Sequence, residues 1–183
     1  MRGRLLTLRG ELDAAASALE SVSELEGPLG VDLARAAATS GDDDRAFALT
    51  GRLLAAARLE GPVAQLQVGA LWELLRRLAP HDPDEALRLV RGAPEVSAGF
   101  AEGPRALAEA AAAEAAGLPE DTAAACVRAE ALGFVHLELF GLHIRALRAL
   151  GRTAEAEQLA DRLHALAPLT ATEPLPSAFA PGP

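Results

Sequence analysis

The sequence predicts an all-α fold, a right-handed solenoid of about five antiparallel helical hairpins, and three observations carry that expectation. The first is composition. Of 183 residues, 43 are alanine and 32 leucine, whereas valine occurs 8 times, isoleucine once and tyrosine never. Alanine and leucine lose little freedom in a helix, while strands draw on β-branched and aromatic side chains, so no large sheet is expected. The second is a beat of helix breakers. Gly10, Gly41, His81, Gly117 and Gly151 each close one apolar stretch and precede another, at separations of 31, 40, 36 and 34 residues. The third is a small side chain five places after each breaker: Ala15, Ala46, Ala86, Thr122 and Ala156. A small residue just past a tight turn lets two antiparallel helices approach closely. A period of about 30–40 residues marks hairpins that bury their apolar faces on one another.

Ten helices follow in order, over 1–9, 11–25, 28–40, 43–59, 61–79, 83–91, 103–116, 119–132, 134–150 and 153–167. Gly10 splits the first pair, whose leading helix is mostly missing. Gly27-Pro28 then starts 28–40. Asp42, Asp43 and Asp44 open 43–59, where carboxylates meet free amides and the positive end of the helix dipole. Within 61–79, Val63, Leu66, Ala70, Leu71, Leu74, Leu75 and Leu78 recur with helical period and predict the buried face. Asp82 is placed to cap 83–91, with Pro83 at its first position and Glu85 completing a capping box. Residues 93–102 are expected to be irregular or a short helical turn. Gly103-Pro104 opens 103–116, and Pro119, Glu120 and Asp121 start 119–132. The last two helices flank Gly151. Pro168 and four further prolines preclude a helix beyond it, so a repeat domain over 1–167 is expected to carry a flexible tail over 168–183.

Charge narrows the function classes. All 17 basic residues are arginine, and 26 acidic residues leave a net charge of −9. A negative surface repels phosphate backbones, so direct nucleic-acid binding is not expected. The single Cys126 has no intramolecular disulfide partner, which fits a reducing compartment. The first residues carry arginines as a signal peptide does, yet Arg9 and Glu11 interrupt them before an apolar stretch develops. No uncharged apolar run approaches the roughly 18 residues of a membrane span. A cytoplasmic protein without membrane contact is the expectation.

The last repeat resembles a tetratricopeptide repeat, whose pattern runs Trp-x2-Leu-Gly-x2-Tyr, a turn, Ala-x3-Phe, then Pro. The same spacing here reads Phe140, His143-Ile144, Leu147, Gly151, Ala156, Ala160 and Pro168, and the repeat before it places Gly117, Thr122, Cys126 and Ala129 alike. Ile144 stands where the family has glycine, and most aromatic positions are leucine or alanine. The resemblance is loose over 1–168 and closer over 103–168. Alanine-, leucine- and arginine-rich stretches such as 128–133 and 149–156 are similar in style to helical-repeat regions of bacterial signalling ATPases and transcriptional activators. In that setting the array binds another protein while separate domains handle nucleotide and DNA. The chain begins partway through a repeat, which points to a divergent short protein or to a fragment of a longer ancestor.

Catalytic and metal motifs are absent from the sequence: there is no phosphate loop, no Gly-x-Gly-x-x-Gly and no His-Glu-x-x-His. His136 and His143 lie seven apart without a completing ligand, so packing or hydrogen bonding explains them better than a metal. His81 falls in a turn and His164 late on the last helix, both structural or solvated. The Asp42–Asp44 run lacks the alternating spacing of a calcium loop. Cys126 occupies a core position with no activating base beside it. No cofactor or metal is expected.

The remaining candidates form a surface. By the resemblance, the first helix of each pair lines a concave face, onto which Arg35, Trp72, Arg145 and Arg148 project, with Gly141 and Leu142 beside them. Trp72 and Val68 lie off the leucine stripe of their helix. They serve either as packing against the next hairpin or as an exposed anchor. Arg145 and Arg148, three apart, are placed to grip one carboxylate-bearing peptide. The leading expectation is a non-catalytic module that binds a partner protein or peptide, an acidic one by this charge. Two rivals stand beside it: self-association through the incomplete first repeat, including as a homodimer, and a small-molecule sensor or enzyme with a pocket between helices.

Overall fold

The computed structural model describes residues 28–56, 62–94 and 101–166, and eight α-helices fill most of them. They are α1 (Pro28–Thr39), α2 (Asp43–Ala56), α3 (Pro62–Leu78), α4 (Pro83–Gly92), α5 (Glu102–Ala115), α6 (Pro119–Ala131), α7 (Leu137–Ala149) and α8 (Thr153–Leu166). No strand occurs among the described residues. The expected helices 1–9 and 11–25, the tail 168–183 and most of 93–102 lie outside the described residues. Four helix pairs are seen: α1–α2, α3–α4, α5–α6 and α7–α8.

Turn chemistry sets where the helices stop. Gly41, Gly117, Gly133 and Gly151 all have positive φ, and no other described residue does. At Gly117 (φ 71°) the Leu118 N–H donates to the Ala113 carbonyl at 2.9 Å and the Gly117 N–H to Glu114 at 2.9 Å. These bonds serve carbonyls that the end of α5 would otherwise leave bare, in a left-handed conformation that a Cβ makes costly. The His81 turn needs no such residue. Its N–H reaches the Leu78 carbonyl at 2.9 Å, and Asp82 takes over as cap of α4, its Oδ1 accepting from the Glu85 N–H at 3.0 Å.

Two expectations need correcting here. The capping box at Asp82 is only half formed, because Glu85 turns its carboxylate to Arg88 (Nε–Oε2 2.6 Å). The helix expected over 134–150 begins at Leu137. Gly133 ends α6 by the same wrapped turn, with Phe134 N–H on the Ala129 carbonyl at 3.0 Å, and His136 is extended (φ −143°, ψ 133°).

The small residues five places past the breakers do what their size allows. Ala46, Ala86, Thr122 and Ala156 are all fully buried. Thr122 satisfies its hydroxyl on the Leu118 carbonyl at 2.9 Å, so a polar atom enters the core already paired. Each helix packs only on helices one or two places away in the chain. The odd-numbered helices make a continuous row, α1 on α3, α3 on α5 and α5 on α7. Among the even-numbered ones only α2 and α4 pack closely on one another.

Helix α5 is the centre of this arrangement, and its buried side is mostly alanine, including Ala106, Ala108, Ala110, Ala112 and Ala113. It packs on α3, α4, α6 and α7 at once, which bulky residues would prevent. Gly103 takes this furthest: a Cβ there would lie 2.5 Å from the ring of Phe134. Beyond α5, α7 divides its faces, with Leu139 and Leu142 packed toward α5 and α6 and Phe140, Ile144 and Leu147 toward α8.

Candidate functional site

The side chains expected to form one contact surface separate into two groups. Arg35 on α1 and Arg145 and Arg148 on α7 are exposed, with Gly141 half-buried beside Arg145. Trp72 and Leu142 lie in the core instead. Trp72 is fully withdrawn from solvent and Leu142 nearly so, and neither offers a partner any surface. The reason for Trp72 is the row of odd helices. Because α3 packs on α1 and α5 as well as on α2 and α4, its buried side is wide, taking in Val68, Leu71, Trp72, Leu74, Leu75 and Leu78. Leu66, expected inside, is the residue that points out, at 62% exposure.

One face of the Trp72 ring is covered by Arg105 from α5, its guanidinium carbon 5.6 Å from the ring centroid. The same guanidinium donates to the Val90 and Ala93 carbonyls at 3.0 and 3.2 Å. It thereby caps the C-terminal end of α4 while making a cation–π contact, and it joins α3, α4 and α5 through one charge. Sequence reasoning passed over Arg105. Its only signal was a position three residues into a helix that follows a short, abruptly ended one.

The expectation of a paired arginine grip on α7 also changes. Arg145 is already held in a fork by Glu114 of α5, with Nη2 to Oε2 at 2.9 Å and Nε on Oε1. That carboxylate raises the guanidinium pKa further above its ordinary value. Arg148 has no ion-pair partner among the described residues. Packing of α5 against α7 delivers Glu114, and 31 residues of separation hid it from the sequence.

A second ion cluster ties the row together. Arg76 of α3 donates to both oxygens of Glu73, at 2.8 and 2.6 Å, and reaches Glu138 of α7 at 2.5 Å. Helices α3 and α7 do not pack directly, so this guanidinium bridges them across α5. Arg76 and Arg77 hold the Glu73 carboxyl down to about 2.

Between the C-terminal halves of α1 and α3 lies a cavity of about 610 Å³, bounded by the first residue of α2 and by the turn after α3. Its size falls within the range of pockets that hold small ligands or a few residues of a peptide. Arg35 is part of its wall, together with Arg77 and with His81, whose Nδ1 sits 2.9 Å from Asp43.

The groups weighed as chemical candidates occupy structural places. His143 is buried on α7 with Nδ1 3.3 Å from Glu130, and His136 stacks on Phe134. His164 is exposed. Burial pushes the Cys126 thiol up to about 12, with the Glu130 and Glu114 charges adding to the effect. Among the described residues no three His, Cys, Asp or Glu side chains gather as a metal site, and no helix is long and apolar enough to cross a membrane. Comparisons with protein-family models, with curated proteins and with solved structures find no match to this chain.

Proposed function

We propose that this chain is a non-catalytic interaction module, a solenoid of tetratricopeptide-like hairpins whose odd-numbered helices present a face to a partner protein or peptide. One observation carries the reading: the cavity between α1 and α3 opens beside Arg35, a guanidinium without a partner among the described residues, on the row of stacked odd helices. An unpaired exposed arginine beside a cleft is poised for a carboxylate, since a charge-assisted contact there displaces no existing ion pair. Arg148 extends the same character along the row, whereas Arg145 takes part only if Glu114 releases it. Bacterial signalling or transcriptional regulation is the setting that the repeat style points to, with a cytoplasmic location.

Capture from cell lysate tests this reading, with the intact chain beside an Arg35→Glu/Arg148→Glu variant and an Arg162→Glu control on the exposed side of α8. The module reading expects a protein retained by the intact chain and the control and lost by the double variant. Equal capture by all three moves the contact elsewhere.

A second reading has its own observation. Leu132, Val135 and Leu137 are all more than half exposed around the turn between α6 and α7. Clustered aliphatic side chains of this kind favour self-association. A mass that rises with concentration, and falls again in a Val135→Glu variant, identifies it.

A further inference from the structure

We propose that the cavity between α1 and α3 is an anion-reading pocket, taking a carboxylate on a polypeptide. This deepens the module reading and rests on it. The argument is a count of which charges around the cavity are already satisfied.

Four ionised side chains and one histidine line it: Arg35, Arg77, Asp43, Glu73 and His81. Formal charge alone leaves the pocket undecided. Bonding decides it. Both oxygens of Glu73 are taken by Arg76, which lies outside the cavity wall, and Arg77 adds a single contact at 3.0 Å through its Nε. The two terminal nitrogens of Arg77 remain without a protein acceptor among the described residues, on a side chain 70% exposed. Asp43 is engaged by His81 at 2.9 Å. Arg35 has no ion-pair partner among the described residues. The donor capacity left on Arg35 and on the terminal nitrogens of Arg77 therefore exceeds the acceptor capacity left on Asp43, of which only Oδ2 is on His81, and each guanidinium is able to hold a carboxylate by two parallel bonds.

The apolar part of the lining adds little, since Leu74 and Leu78 are 4% and 2% exposed and Ala38 is half-buried. The polypeptide source of the carboxylate follows from the module reading. The same carboxylate chemistry comes from an internal Asp or Glu side chain or from a chain terminus. The fold itself selects neither.

Titration of the full chain with three ten-residue peptides, followed by calorimetry, tests the pocket and separates the sources. One peptide alternates leucine with glutamate and is amidated. The second alternates leucine with glutamine and ends in a free carboxylate. The third is the glutamine peptide amidated, and carries no anion.

The pocket predicts binding of the first or the second and at least about tenfold weaker binding of the third. It also predicts a loss of about tenfold or more in an Arg35→Gln/Arg77→Gln variant, and no change in Arg148→Gln. The fluorescence of Trp72, the only tryptophan in a chain without tyrosine, checks that each variant is folded. Equal binding of the neutral peptide, or no binding of any peptide at about millimolar concentration, overturns the pocket. Charged-peptide binding lost with Arg148→Gln and kept without Arg35 and Arg77 also overturns the pocket, while leaving the interaction face in place. Failure of the face itself is read separately, from the lysate capture.

Discussion

The Glu73 carboxyl receives two donors from Arg76 and one from Arg77, and these guanidinium groups hold it at about 2 against an ordinary 4.5. A carboxylate whose folded value is depressed contributes stability that is complete above the unfolded value and lost as pH falls toward the folded one. The window here runs from about 4.5 down to about 2. The side chain is about a third exposed, so solvent screening leaves roughly 1 kcal/mol of effect. Denaturant midpoints should therefore show Glu73→Gln weaker than the parent at pH 6, with the gap closing by pH 2.

Cys126 behaves oppositely as a probe. With its thiol pushed up to about 12 and fully buried, it should resist a thiol reagent at pH 8 and react at once when denaturant is added. Trp72→Ala should cost about 3–5 kcal/mol in unfolding experiments, because it empties a core site and strips Arg105 of its aromatic partner. At this scale the sequence was a good guide to small buried residues such as Ala46 and Ala156, whose size and spacing are local facts. It was a poor guide to Trp72. Periodicity ranks the faces of one helix, but the number of neighbours around that helix is a property of the fold.

At the scale of elements, turn glycines carried most of what was legible. Gly41, Gly117 and Gly151 marked three helix ends in advance, and the start of α7 was misplaced because the next helix was begun directly after Gly133, whereas His136 is still extended. Gly117→Ala should lower stability by about 1 kcal/mol through its left-handed φ alone, since a Cβ there meets nothing within 4 Å. Gly103→Ala tests close packing rather than φ, and a larger loss of about 2 kcal/mol is expected as Phe134 is displaced.

Less legible were the ion pairs that stand where helices fail to touch. Helices α4 and α6 do not pack, and Glu109 of α5 fills the gap by accepting from Arg91 of α4 at 3.1 Å and from Arg128 of α6. Arg91 also reaches Asp121 at 2.7 Å. Partners 18 to 30 residues apart leave no local pattern. Glu109→Gln should lower the melting temperature at low ionic strength by the equivalent of about 1 kcal/mol. At about 1 M salt the parent should lose most of that advantage, because exposed charges are screened there.

At the scale of the molecule, contacts among the described helices reach no further than two helices along the chain. The even helices stand apart beyond α4, while the odd ones remain continuous. The cleft lies between two helices of the odd row, α1 and α3. That the described residues are all-helical, with neighbouring helices packed on one another, followed from composition and from the beat of breakers. The state of each arginine did not, because it depends largely on carboxylates delivered from other helices. Arg145 is matched by Glu114 of α5, and Arg76 by Glu138 of α7 as well as by Glu73 of its own helix, while Arg35 and Arg148 have no ion-pair partner among the described residues. Amide hydrogen exchange, on the chain alone and with its captured partner, tests most directly whether this face makes the contact. The account predicts slowed exchange in α1, α3 and α7 on binding, with α4, α6 and α8 unchanged. Protection confined to residues 132–137, or to α8, would contradict it.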